Sequence, residues 1–209
     1  YATPGTYTVE VFPSGTYEPF FANQNNDADL ITTVFIREGA NLGTNLDRAF
    51  QGADRMTDFD CSFTSTSNIT TFSNTWNTCS SLTTFPLIDT SSAVTLNNTW
   101  DRCSSLTSFP LIDVSSTTTL IATWSNCSSL TSFPLIDISH VTNLSSTWFN
   151  CNDLTTFPLL DTSSVTTFNN TWRSCNGFTS FPLIDTSSSI SLLFAWFGCN
   201  GLTSFPLIN

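Results

Sequence analysis

The chain has 209 residues, of which 16 are acidic and five are arginine, with no lysine, so its net charge is −11. An acidic balance of this size argues against nucleic acid and anionic membrane surfaces as partners. No stretch approaches 18 apolar residues, which excludes a transmembrane helix, and no signal peptide is recognisable. The chain begins with Tyr1, and we expect that processing or truncation has removed the original start.

Residues 1–45 are predicted to form a β-rich cap. Two runs rich in β-branched and aromatic residues, 6–12 and 30–36, read as strands on either side of a polar loop at 21–29. The opening YATPGTYTVEV resembles the last strands of PKD-type β-sandwich domains, whose signature runs Tyr-x-x-Pro-Gly-x-Tyr-x-Val. That resemblance implies that most of such a domain lies upstream, whereas the alternative is a strand that simply caps the repeats.

From residue 76 onward the sequence repeats every 24 residues. A tryptophan opens each repeat and a cysteine follows three residues later, at Trp76/Cys79, Trp100/Cys103, Trp124/Cys127, Trp148/Cys151, Trp172/Cys175 and Trp196/Cys199. A fixed period of this length predicts a solenoid, because one coil cannot bury its apolar side chains alone whereas stacked coils can. We expect the cysteines to form a column of buried free thiols, since disulfides would distort such a faithful repeat.

The domain organisation follows from this period. Residues 46–75 read as a degenerate capping repeat, with Phe50 in the Trp place and two extra residues before Trp76. Residues 76–209 then hold five full repeats and a partial sixth. Within a repeat, Leu82, Phe85 and Leu87 have the spacing of a leucine-rich-repeat strand, and period-2 geometry predicts Phe85 and Leu87 inside.

The pattern x-Phe/Trp-x-x-Cys-x-x-Leu-Thr-x-Phe, followed by Leu-Ile-Asp-Thr-Ser-x-Val, resembles that of BspA-like leucine-rich-repeat surface proteins. The resemblance covers residues 46–209, with its clearest copy at 159–182. It implies a mainly β, right-handed solenoid with an extracellular, cell-surface or virion-surface role. Tryptophan before the cysteine and proline inside every strand depart from the family pattern.

An apolar stripe on the strand face is the first candidate binding surface. Period-2 geometry turns the proline and the second residue after it outward in each repeat. The stripe comprises Pro86, Ile88, Pro110, Ile112, Pro134, Ile136, Pro158, Leu160, Pro182 and Ile184. One interpretation is a docking surface for another subunit or partner; the other is a short strand whose isoleucine tucks under the next turn.

A column of carboxylates is the second candidate, formed by Asp89, Asp113, Asp137, Asp161 and Asp185. The structural interpretation is an Asx-turn in each repeat. The functional alternative is Ca²⁺ shared between neighbouring carboxylates. The turn is favoured because serines follow and no Gly-Asp loop motif is present, so we expect no cofactor.

A threonine column, Thr83, Thr107, Thr131, Thr155, Thr179 and Thr203, raises ice binding as a minor alternative. Because the adjacent Thr or Ser is expected on the opposite side, no Thr-x-Thr pair forms on one face. N-glycosylation sequons occur at Asn68, Asn97, Asn126, Asn143 and Asn169. In so Ser/Thr-rich a chain they are expected by chance, so they leave glycosylation open.

No enzyme is predicted. His140 is the sole histidine, and it stands alone in a turn without a nucleophile motif, phosphate loop or metal-ligand cluster. We therefore expect a non-catalytic protein for attachment or assembly, with protein subunits or a cell-surface protein or glycan as partners. The alternative is a structural protomer that stacks head-to-tail through Trp196, Phe205 and Leu207, where the last coil is uncapped unless the chain continues.

Overall fold

The computed structural model describes residues 7–11, 31–36, 40–62 and 65–206. Its strands are β1 (Tyr7–Val11), β2 (Ile31–Ile36) and β3 (Asp58–Asp60), which pair in parallel in the order β1-β2-β3. The two predicted N-terminal strands are confirmed. Because β3 belongs to the first coil, β1 and β2 extend the sheet of that coil. This pairing agrees with the interpretation in which the N-terminal strands cap the repeats.

After β3, the described residues contain no further strand, only isolated parallel bridges between coils, such as Asn143 with Thr167. The strand predicted around residues 82–87 is therefore wrong. Pro86 explains part of this result, because proline has no N–H for a ladder bond. What remains of the ladder in several coils is a bond at the threonine three residues before the proline, for example Thr107 N–H to the Thr83 carbonyl at 3.1 Å.

The regular part of each coil is a run of turns just before the cysteine. In the Trp76 coil every second N–H donates to the next coil at 2.8–3.1 Å, and these donors are Phe72, Asn74, Trp76 and Thr78. The N–H groups between them close three-residue steps within the coil, such as Asn77 to the Asn74 carbonyl at 3.1 Å. This alternation pairs the backbone of a buried segment without a regular strand or helix.

Each of these runs needs two left-handed residues, four positions apart. They are Arg48/Gly52, Asn74/Thr78, Asn98/Arg102, Ala122/Asn126, Ser146/Asn150, Asn170/Ser174 and Phe194/Gly198, with φ between +52° and +80°. Side chains other than glycine, asparagine and aspartate rarely adopt this conformation. Seven coils therefore share one backbone path although their residues at these places differ.

Replacing Gly52 by alanine is expected to destabilise the fold by about 1 kcal/mol. Gly52 has φ +80°, and an added Cβ would meet nothing within 4 Å, so the effect comes from the backbone conformation alone. Urea denaturation followed by tryptophan fluorescence measures it, with the exposed Thr84→Ala as control. An unchanged or raised midpoint for Gly52→Ala would contradict the left-handed assignment.

Two aromatic columns run through the core. Tryptophans of neighbouring coils stack with ring centroids 5.2–5.9 Å apart. The phenylalanines of the Phe85 column stack at 5.5–6.3 Å and meet the tryptophans edge-on. Phe50 occupies the Trp place in the first coil, 6.0 Å from Trp76. Rings of this size dominate core energetics, so the columns carry much of the stability.

The cysteines in register form a third column, in which every thiol is free and buried. Each Sγ–H donates to the backbone carbonyl of the aromatic residue that opens the preceding coil, at 2.9–3.3 Å. Cysteine suits this place because it fills a small apolar space and supplies a weak hydrogen-bond donor to a backbone carbonyl that water does not reach.

Candidate interaction face

The side-chain directions after each proline differ from the period-2 prediction. Leu87 is 69% exposed, whereas Ile88 is 5% exposed and Pro86 is half-buried. In one coil the Ile136 N–H donates to the Pro134 carbonyl at 3.0 Å, which closes a three-residue turn around Leu135. Such a turn shifts the alternation by one residue, so leucine points out and isoleucine points in.

The docking-stripe interpretation is therefore wrong for its isoleucines, and the alternative, in which the isoleucine tucks inward, agrees with their burial. The buried residues are Ile88, Ile112, Ile136, Leu160 and Ile184, while the prolines Pro86, Pro110, Pro134, Pro158 and Pro182 are half-buried. The apolar residues that reach solvent, 57–69% exposed, are Leu87, Leu111, Leu135, Leu159 and Leu183. We call these five leucines the leucine face.

A groove of about 500 Å³ lies on this face. Its lining includes the exposed Leu111 and Leu135, the buried Ile112 and Val114, and Asp113 and Asp137. Because Leu, Ile and Asp recur at the same places in the neighbouring coils, the sequence repeats the components of this groove along the rod.

The five aspartates beside the leucine face form Asx-turns. In every case Oδ1 accepts the backbone N–H of the serine two residues later, at 2.8–3.0 Å. In the part of the chain that the structure describes, no group of three or more His, Cys, Asp or Glu is placed to hold a metal ion. The Asx-turn accounts for Oδ1 of each of the five carboxylates.

These hydrogen bonds keep the carboxylates charged. Bonds from the Ser91 hydroxyl and N–H lower the pKa of Asp89, and the corresponding serines do the same for Asp161 and Asp185. For Asp137 the N–H of Ser139 is the largest cause of the lowered pKa. Donors that bind the ionised form stabilise it, so these four carboxylates are held in their negative form.

The threonine column lies at the surface. Thr83 and Thr84 are both exposed, as are the corresponding pairs in the other coils, and the expectation that the two point to opposite sides stays a prediction. The first hydroxyl of several pairs donates to the preceding coil, for example Thr107 Oγ1 to the Thr83 carbonyl at 3.3 Å. Ice binding stays a prediction.

An amide ladder on another side of the rod was not predicted. Asn77 and Asn126 both donate to the Asp101 carboxylate, at 3.2 and 3.0 Å, and further amide–amide bonds of 3.1 Å continue through Asn150, Asn152 and Asn176. The recurring Asn and Asp beside the cysteine were a signal for it. Of the sequons, Asn126 has its Nδ2 in this ladder, whereas Asn68 is exposed.

Four other predicted residues have ordinary surroundings. His140 lies in a turn, where its Nε2–H donates to the Val114 carbonyl at 2.8 Å. Asn143 uses its Oδ1 to accept the Ser145 N–H, and the Oδ1 atoms of Asn97 and Asn169 also accept hydrogen bonds.

The last described coil is open. Ile190, Leu193, Phe194, Phe197 and Phe205 are 42–84% exposed there, and Trp196 is half-buried. In the earlier coils, the equivalent N–H groups donate to the following coil. Within the described chain, four N–H groups of this coil have no backbone acceptor, those of Leu192, Phe194, Trp196 and Gly198. Leu207, the third predicted end-stacking residue, lies outside the described residues.

Comparisons with known proteins give one likeness to report. No family model matches the chain, and no curated protein matches it. The structure is similar to that of a leucine-rich repeat protein from Bacteroides ovatus, with 14% identity, a TM-score of 0.39, and coverage of 97% of this chain and 69% of the other. A likeness this weak carries no argument, and none of the comparisons supports a PKD-type domain. Within the described residues, no helix is long and apolar enough to span a membrane.

Proposed function

We propose that the chain is a non-catalytic repeat rod that binds another protein or a surface through its leucine face. The observation that carries this proposal is the column of five leucines, one per coil, each 57–69% exposed. Single exposed leucines are ordinary, but a contiguous apolar column is a feature of interaction sites. The proposed setting is extracellular, on a cell or virion surface, in attachment or assembly.

Repetition supports this proposal in physical terms. Adjacent coils are fixed by stacked rings and hydrogen bonds, so the leucines hold a constant spacing before any partner arrives. A pre-organised array loses little conformational freedom on binding, and several weak contacts along it add through avidity.

Binding of the fluorescently labelled chain to a panel of intact bacterial cells and isolated surface glycans tests the proposal. The variant changes Leu111 and Leu135 to serine, and the control changes Val94, an exposed valine outside the leucine face, to serine. We expect binding to at least one surface, lost in the double variant and retained in the control. Binding that the double variant keeps, or binding to no surface, would count against attachment through this face.

A second candidate is a structural protomer that stacks head-to-tail through the open last coil. The unpaired N–H groups and exposed rings of that coil favour it, because a further coil would satisfy both. That coil could belong to the same chain or to a second copy. Negative-stain electron microscopy over about three decades of concentration separates these cases: filaments that Phe197→Ser abolishes would support the protomer, and discrete rods throughout would contradict it.

A further inference from the structure

We propose that the partner of the leucine face is an amphipathic helix of another protein, with Lys or Arg along one edge. This inference rests on the proposed function and adds the chemistry of the partner. In each coil the exposed leucine and the aspartate of the Asx-turn are two residues apart, for example Leu111 and Asp113. The rod therefore presents an apolar column and an anionic column side by side.

The charge of the second column requires a cationic partner. In the described chain none of these five carboxylates forms a salt bridge, since the ion pair found there joins Arg102 and Asp101 at 3.9 Å. Hydrogen bonds from Ser139 are the main cause that lowers the pKa of Asp137, and the charge of the neighbouring His140 is the smallest cause. An uncompensated row of like charges is favourable only beside opposite charge.

The same charge disfavours a second copy of this chain on the leucine face. Two apposed faces would bring two carboxylate columns together, on chains that each carry a net charge of −11. Like charges at close range cost free energy and lower the association rate. A homodimer through this face would thus bury leucines at the expense of electrostatic repulsion, whereas a basic helix gains from both columns.

Spacing favours a helix over an extended segment. Coils joined by backbone hydrogen bonds lie about 4.8 Å apart, so five leucines span about 19 Å. A helix advances about 5.4 Å per turn, so the mismatch between its turns and the coils is about 0.6 Å per coil. Residues on one face of an extended strand are about 6.8 Å apart, so their mismatch with the coil spacing is about 2 Å per coil. One apolar side chain per helical turn can pack between successive leucines, as in the groove lined by Leu111 and Leu135.

Two synthetic 18-residue helical peptides serve as probes, each with leucine on one face and either lysine or glutamate on the other. Fluorescence anisotropy with the full chain at physiological salt measures binding. We expect the Leu/Lys peptide to bind at least tenfold more tightly than the Leu/Glu peptide. Equal affinities would overturn the charge requirement.

Matched variants locate the binding. Leu111→Ser with Leu135→Ser is expected to weaken the Leu/Lys peptide at least tenfold. Asp113→Asn with Asp137→Asn is expected to weaken it at least fivefold and to flatten its salt dependence, while the asparagines keep the Asx-turn acceptor. Val94→Ser, and Asp58→Asn with Asp153→Asn, which makes the same change of net charge elsewhere, should stay within twofold of the parent chain.

Each contrary outcome has a distinct meaning. A leucine variant that binds the peptide as tightly as the parent would show attraction by charge alone and overturn the proposal. Concentration-dependent dimers abolished by the leucine variant would identify a second copy as the occupant and overturn it as well. Failure of both peptides, combined with leucine-dependent binding to the cell and glycan panel, would overturn the basic helix while the proposed function stands.

Discussion

Raising the pH from 7.5 to 10 is expected to unfold the solenoid. Five thiols, those of Cys79, Cys103, Cys127, Cys151 and Cys175, are completely shielded from solvent in the core. Burial is the largest cause that raises the pKa of each of them above its ordinary value. The folded chain therefore keeps these protons at a pH where an unfolded chain releases them.

The direction of the effect follows from this difference. In an unfolded chain a thiol ionises at about pH 8.5, so the stability that the buried thiols contribute is fully present below that pH and is lost as the pH rises towards the folded pKa. Well above pH 8.5 each thiol lowers the free energy of unfolding by about 1.4 kcal/mol per pH unit, or about 7 kcal/mol for the five. Because domains are commonly stable by about 5–15 kcal/mol, one to two units suffice.

Urea denaturation between pH 7 and 10.5, followed by tryptophan fluorescence and circular dichroism, measures this loss. Cys127→Ala is the matched control: it is less stable at pH 7 but should lose stability with a slope about one fifth smaller, because one titrating thiol is gone. A midpoint that does not move up to pH 10 would contradict the thiol column.

Trp124→Ala is expected to produce the largest loss from a single core substitution, about 3–5 kcal/mol. Trp124 is completely buried, with its ring between those of Trp100 and Trp148 at 5.7 and 5.8 Å and edge-on to Phe133 at 4.7 Å. In a stacked array each coil contacts only its neighbours, so the gap should also divide the rod into two units that unfold separately.

Trp124→Phe is the control for this prediction. Phenylalanine keeps most of the stacking area, and Phe50 already stands in the corresponding place of the first coil. It also removes an indole Nε1–H that has no hydrogen-bond acceptor in the structure, an arrangement that costs free energy in a core. We expect less than half the loss and a single denaturation transition; equal losses for the two variants would show that the ring stack contributes little.

The core columns could be predicted from the sequence because they depend only on the period. Residues 24 positions apart, such as Trp100 and Trp124, must occupy equivalent places in stacked coils whatever the local backbone does. The Asx-turns were also predictable, since Asp followed by serines favours them in any fold.

The leucine face could not be predicted because it depends on the local backbone. Assigning side chains to the inside or outside by period 2 assumes an extended strand. The three-residue turn around Leu135 breaks that alternation, so that Leu135 points outward and Ile136 inward. The left-handed residues were equally hidden, because Thr78, Ala122 and Phe194 have no preference for that conformation. The signals available were Gly52 and Gly198, together with asparagine at one member of the pair in five other coils.

Hydroxyl-radical footprinting of the full chain, read by mass spectrometry, tests the central claim most directly. The claim predicts oxidation at the leucines of the face, such as Leu111 and Leu135, and protection at the chemically similar Ile112 and Ile136 beside them. Adding the Leu/Lys peptide should then protect the leucines selectively. Oxidation of the isoleucines at rates equal to the leucines would contradict the exposed leucine face, and with it the binding surface proposed for this rod.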